Sequence, residues 1–190
     1  IEDIVTEDST LDLPDAYDRT KVASELLVTR MAELTGMQAA SARIAAPYGP
    51  AERVTGGRVF MSPPYKMLHM ALNGEKACIC GKDYQRDWTY VEDTAAGICG
   101  LLLAEKLNYT VYNVSSSMNA SLETMAQAVK KCCPDFEYEF TDRREESNIF
   151  ADLEDMRGAL SVERLSEDTG YKAEYDIFAG IEAYYRSFQK

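Results

Sequence analysis

Tyr17 and Lys21 stand four positions apart in the run Tyr17-Asp18-Arg19-Thr20-Lys21. Side chains at that spacing share one face of a helix, so a phenol would lie beside an ammonium. A neighbouring positive charge favours the phenolate. A phenol poised in this way can take a proton from the hydroxyl of a bound molecule. The spacing alone also fits an ordinary amphipathic helix, so its weight depends on the segments around it.

Those segments alternate between helical and extended patterns. Asp12 and Asp15 flank Pro14 and mark a helix start. Val22, Leu26, Leu27, Met31 and Leu34 then recur at helical spacing, predicting a helix over Asp15–Leu34 that stops at Gly36. Ala39–Ala46 reads as a buried strand ending at the turn Pro47-Tyr48-Gly49-Pro50. A helix is expected over Pro64–Asn73, between the Pro63-Pro64 pair and Gly74. Ala77–Cys80 and Arg86–Val91 read as strands. Asp93 is expected to cap a helix reaching about Glu105, with Ala96, Cys99, Leu102 and Leu103 on one face. Val111–Val114 reads as a strand, and Ser121 caps a helix to Lys131. Phe136–Phe140 alternates as a half-exposed strand. Helices over Val162–Thr169 and Ile177–Phe188 close the chain. The alternation predicts the α/β class.

Composition narrows the partners. The 190 residues are 46% hydrophobic and carry a net charge of −12, which argues against nucleic acid and against an anionic membrane surface. No apolar run is long enough for a transmembrane helix. Ile1–Asp8 is acidic and lacks the order of a signal peptide. Cys78, Cys80, Cys99, Cys132 and Cys133 form an odd, irregularly spaced set. They read as free thiols in a reducing, cytoplasmic compartment. With His69 as the single histidine, on an apolar stretch, four converging metal ligands are not expected, and His69 reads as a packing residue.

Taken together, the segments resemble a known family in its own order and spacing. Asp15-Ala16-Tyr17-Asp18-Arg19-Thr20-Lys21 through Glu25 is similar to a Y-G-x-[ST]-K-x-x-x-E stretch, with Asp18 where Gly is frequent. Arg43-Ile44-Ala45-Ala46-Pro47-Tyr48-Gly49-Pro50 resembles R-x-x-N-x-Y-G-P. Arg86-Asp87-Trp88-Thr89-Tyr90-Val91-Glu92-Asp93 resembles R-D-[FW]-x-[YH]-V-x-D. Tyr112-Asn113-Val114 followed by Ser115–Ser121, then Ser161–Tyr171 and Gly180–Tyr185, are similar to its later strand, cap and closing elements. The family they resemble is that of the extended short-chain dehydrogenase/reductases, the NAD-dependent sugar epimerase/dehydratase family.

The resemblance implies a fold and a set of roles. The fold would be the C-terminal part of a Rossmann-type doubly wound α/β fold plus a small substrate-binding α/β subdomain. Residues 1–60 would end the NAD-binding region. Residues 61–190 would be mainly the substrate subdomain, with a Rossmann strand and helix returning near 86–114. Tyr17 would be the catalytic acid/base, and Lys21 would hold the nicotinamide ribose. Ala45 and Pro47 would line the nicotinamide of NAD or NADP. Ala46, Cys78, Cys80, Arg86 and Arg144 would face a sugar or nucleotide-sugar substrate. Arg86 and Arg144 suit phosphate oxygens because a guanidinium forks onto them. Ala46 stands where the family has Asn, and Glu146-Ser147 where a Gly-Asp pair is usual. A homodimer through the Tyr17 helix is also implied.

The family's G-x-x-G-x-x-G turn, which cradles the pyrophosphate at a helix N-terminus, has no counterpart here. Gly97-Ile98-Cys99-Gly100 falls inside an expected helix with no strand feeding it. By the resemblance, the chain begins between the second and third members of the catalytic triad, and the cofactor is expected only with an N-terminal region. The Asp15–Leu34 helix and the strand after it should then expose apolar surface. A non-catalytic interaction module retaining the subdomain fold is the alternative reading.

Overall fold

The structure, a computed structural model, describes residues 4–55, 57 and 60–189. Helix α1 spans Ala16–Thr35. The Asp15 carboxylate caps it by accepting from the Asp18 N–H at 2.9 Å, and Gly36 closes it in the left-handed conformation at φ 68°. The strand expected over Ala39–Ala46 is split into β2 (Ser41–Ile44) and β3 (Ala46–Tyr48), counting Ile4–Val5 as β1. Extended pairing continues through Pro47 and Tyr48, so the turn begins at Gly49 rather than at Pro47. β2 pairs in parallel with β6 (Val111–Val114). β3 pairs in parallel with β5 (Gln85–Tyr90). The chain therefore crosses at Ala45 from one sheet to another.

Helix α2 (Pro63–Asn73) starts at the Ser62 cap and stops at Gly74. Strand β4 (Ala77–Cys80) lies in parallel between β8 (Tyr138–Thr141) and β9 (Ile149–Phe150). Helix α3 runs over Val91–Leu103. Here the expectation for Asp93 fails. Asp93 is not the cap: Tyr90 holds that position, and the buried Asp93 carboxylate accepts from the Glu174 and Tyr175 N–H groups at 2.9 and 3.1 Å. The face carrying Ala96, Cys99, Leu102 and Leu103 is exposed, with Leu102 78% and Leu103 82% accessible. Asp93, Thr94 and Gly97 face inward instead. A β-carbon on Gly97 would come within 2.6 Å of Val114 Cγ1, so the missing side chain is what lets α3 close on β6.

β7 (Asn119–Ser121) pairs antiparallel with β5 and leads into α4 (Leu122–Cys132), capped by Ser121. α5 (Glu163–Thr169) and α6 (Ile177–Ser187) follow β10 (Ala159–Leu160). The opening segment contributes β1, which pairs in parallel with β10. Two residues carry too little pattern for that pairing to be read from sequence.

The larger core gathers Tyr48, Met67, Leu68, Ile79, Leu122 and Tyr184 with their neighbours; a smaller one joins Tyr112, Val114, Leu165 and Tyr171. His69 packs between Tyr65 (centroids 3.9 Å) and Phe188 (5.2 Å), as a packing residue should. The five cysteines are free thiols. Among the described residues no group of His, Cys, Asp and Glu converges as a metal site, and no helix is long and apolar enough to cross a membrane.

Candidate active site

Helix α1 projects Tyr17 and Lys21 from one face, and the Lys21 ammonium lies over the Tyr17 ring, 5.0 Å from its centroid. Tyr17 is 67% accessible. Two turns beyond Tyr17, Glu25 falls on the same face, and it ties the helix down. The Arg43 guanidinium donates from Nε at 2.9 Å and from Nη2 at 2.7 Å to the two Glu25 oxygens, and from Nη1 to the Glu7 carbonyl at 2.8 Å. Both side chains of this fork-on-fork pair are largely buried. Such a pair fixes orientation as well as separation. Arg43 is on β2, so the pair sets α1 against the strand that leads into Ala45-Ala46-Pro47. Those three lie on the strand path, with the Ala45 N–H bonded to the Val114 carbonyl at 3.1 Å.

Glu7 is a buried carboxylate that the sequence did not single out. Its Oε1 accepts from the Asn113 N–H at 2.8 Å and its Oε2 lies 3.8 Å from Arg164. The Asn113 side chain donates to the Val5 carbonyl at 3.2 Å. A buried charge must be paired to be tolerated, and here the pairing stitches the opening segment onto β6 and α5. Only the folded chain reveals this, because Glu7 and Asn113 are remote in sequence.

The residues expected to meet a substrate divide. Cys80 and Arg144 line one cavity of about 490 Å³, between the Gly81–Asp83 turn, the end of β8 and the 151–154 segment. Gly81 is required there: its φ is +83°, and an added β-carbon would sit 2.2 Å from the Ala151 carbonyl oxygen. Cys78 and Arg86 are not among the lining residues. Desolvation, then the neighbouring Glu139 carboxylate, pushes the Cys78 thiol above its ordinary value, so it stays protonated. Arg86 donates from Nη1 to the Tyr84 hydroxyl at 3.2 Å. Ala46 offers no side-chain donor. The Arg144 guanidinium stacks on the Phe150 ring at 4.0 Å and donates from Nη1 to both oxygens of Asp152, at 3.0 and 2.9 Å.

Can these residues accept a nicotinamide dinucleotide? A phenol and an ammonium sharing an exposed face suit the ribose and nicotinamide end. Among the described residues no glycine-rich turn cradles a pyrophosphate: Gly97 and Gly100 sit inside α3, where they pack against Val114 and Thr169. The donor set therefore fits one end of the cofactor.

A sequence model of the NAD dependent epimerase/dehydratase family matches residues 2–115, and the chain belongs to that family. Comparison with curated proteins gives no match. Among solved structures, the chain is similar to the UDP-glucose 4-epimerase of Thermotoga maritima, determined with UDP-glucose (TM-score 0.78, 19% identity, 97% of this chain and 57% of that one). It is equally similar to the UDP-glucuronic acid 4-epimerase of Bacillus cereus, determined with UDP-glucuronic acid and NAD (0.77, 19%, 100% and 57%). A dTDP-glucose 4,6-dehydratase of Bacillus anthracis, in complex with NAD, follows (0.71, 18%, 97% and 55%). The α/β architecture is thus that of the Rossmann-type epimerases. The chain spans a little over half the length of these structures.

Proposed function

We propose that this chain is the substrate-binding and acid/base part of an NAD-dependent epimerase or dehydratase acting at a sugar carbon, with a sugar or nucleotide sugar as substrate. The carrying observation is the Tyr17–Lys21 pair on one exposed face of α1, braced through Glu25 and Arg43. NAD, when bound, supplies a hydride acceptor and donor. Tyr17 takes the proton from the sugar hydroxyl at the carbon being oxidised and returns it later. Lys21 binds ribose hydroxyls and keeps positive charge beside the phenol. Ala45 and Pro47 form the wall at the nicotinamide, and Ala46 presents only a methyl group to the substrate. Arg86, Cys78, Cys80 and Arg144 belong to the substrate side. In this reading residues 1–60 finish the cofactor-binding region and 61–190 are mainly the substrate subdomain, with 86–114 returning to the first.

The exposed apolar faces of α1 and α3 support a cofactor-binding part that packs on them. The apolar stripe of α1 also supports pairing of two copies through that helix. The test is Tyr17→Phe in the full polypeptide carrying the cofactor region. Turnover should fall by about 10²–10⁴-fold, the usual share of a positioned acid/base, with NAD affinity unchanged in equilibrium dialysis. Undiminished turnover would remove Tyr17 from the chemistry.

A further inference from the structure

The bonds that seat α1 on its strand converge on one residue of the opening segment. Glu7 lies in a turn closed by the Ser9 N–H on the Thr6 carbonyl at 3.2 Å and by the Thr6 N–H on Ser9 Oγ at 3.0 Å. Its backbone carbonyl accepts at 2.8 Å from Arg43 Nη1, the one guanidinium nitrogen that Glu25 leaves open. Its side chain is 3% accessible and turns the other way, where Oε1 accepts from the Asn113 N–H at 2.8 Å. Arg43 and Asn113 stand opposite each other in the ladder of β2 and β6. Glu7 thus spans a registered pair, with its carbonyl on one member and its carboxylate on the other. A buried N–H left without an acceptor is costly, so the Asn113 bond fixes where the Glu7 carbonyl meets Arg43. Charge is the lesser part of this seat. Arg164 stands 3.8 Å from Oε2, but it is also paired with Asp8 and lies on the Tyr109 ring.

We propose that Glu7 is a positioning residue for Tyr17. The length of its side chain, rather than its charge, sets the seat of the Arg43–Glu25 pair and with it the approach of the Tyr17–Lys21 face. A misplacement of about 1 Å at a reacting group can cost about 10²-fold in rate, so a small change of reach at Glu7 is enough to be read in turnover. The inference rests on the reading of Tyr17 as the acid/base, and it adds to that reading a residue outside α1.

The test uses the full polypeptide carrying the cofactor region, with NAD and with UDP-glucose as the probe. Glu7→Asp keeps the charge and withdraws the carboxylate by about 1.5 Å, one carbon–carbon bond. Its kcat should fall by about tenfold or more, with KM within about threefold. Glu7→Gln keeps the reach and an acceptor oxygen but loses the charge. Its kcat should stay within about threefold of the unaltered polypeptide. Equal losses in the two variants, or none in Glu7→Asp, overturn the inference. In a Tyr17→Phe background, Glu7→Asp should lose its effect on kcat while lowering the melting temperature as before. An undiminished effect overturns the inference, because Glu7 would then act without Tyr17. If the probe is not turned over, hydrogen exchange of residues 16–25 decides. Protection lost in Glu7→Asp and kept in Glu7→Gln supports the inference, and equal protection in both overturns it. If Glu7→Asp does not fold, Glu7→Gln decides, and a loss of about tenfold there overturns the inference. Tyr17→Phe alone reports on the acid/base reading. Where it costs turnover and Glu7→Asp does not, only the role of Glu7 falls.

Discussion

At the scale of single residues, the bond that matters most to the proposed chemistry is not at the reacting phenol. Tyr17 and Lys21 are exposed, and little around them restricts their approach to a ligand. Their placement comes from Glu25, one turn beyond Lys21 on the same face, whose two oxygens accept from Nε and Nη2 on one edge of the Arg43 guanidinium. An ammonium cannot reproduce that fork. Arg43→Lys should therefore loosen α1 from β2 while preserving charge. The expected cost is about 1.5–3 kcal/mol, the range for hydrogen bonds to charged groups, read as lost hydrogen-exchange protection in α1 and β2. Unchanged protection would show that α1 is held by other contacts.

At the scale of elements, α5 is fastened to the start of β6 by one carboxylate. Asp168 accepts from the Tyr112 hydroxyl and the Asn108 side chain, both at 2.5 Å, and from the Asn108 N–H at 2.7 Å. Burial and the bond to Asp168 push the Tyr112 hydroxyl up to about 12, so it remains a donor at neutral pH. The bond from Tyr112, then those from Asn108, hold the Asp168 carboxyl below its ordinary value. A carboxyl depressed on folding binds fewer protons in the folded state than in the unfolded one. Its stabilisation is therefore full well above the unfolded value of about 3.9 and is lost as pH falls through it toward the folded value. Melting temperature should drop on acidification through that window, and Asp168→Asn should flatten the acid limb while lowering stability at pH 7. An acid limb of the same steepness in the variant would remove Asp168 as a contributor.

At the scale of the whole molecule, the chain holds two kinds of surface. One is acidic and solvated, in keeping with a net charge of −12. The other is apolar and uncovered: Leu26, Leu27, Met31 and Leu34 on α1, Ile44 on β2, and Leu102 and Leu103 on α3. No residue of α1 is buried, although it is a 20-residue helix with a regular apolar repeat. β2 and β6 pair only with each other among the described residues. Apolar faces of that extent mark an interface. The chain by itself should sediment above its 21.3 kDa mass in a concentration-dependent way. Leu27→Glu together with Leu103→Glu should return it toward that mass. A single 21.3 kDa species at every concentration would argue that these faces need no partner.

Local order was legible in the residues. The capped start of α1, the proline-led α2, the Ser121 cap of α4 and the glycine stops at 36, 74 and 170 all act over a few positions, so the sequence alone determines them. The four-residue spacing of Tyr17 and Lys21 likewise settled that they share a face, and the ordered motifs settled the family. Which side of a helix turns inward was another matter. The apolar face of α3 is outside, because the closest approach to β6 is made at Gly97, where volume rather than hydrophobicity decides. The partners of Glu7, the seat of Asp93 on the 174–175 backbone and the capture of Arg144 by Asp152 join groups that periodicity does not relate. Long-range pairing is set by how strands stack and loops close in three dimensions, so tertiary structure alone decided them.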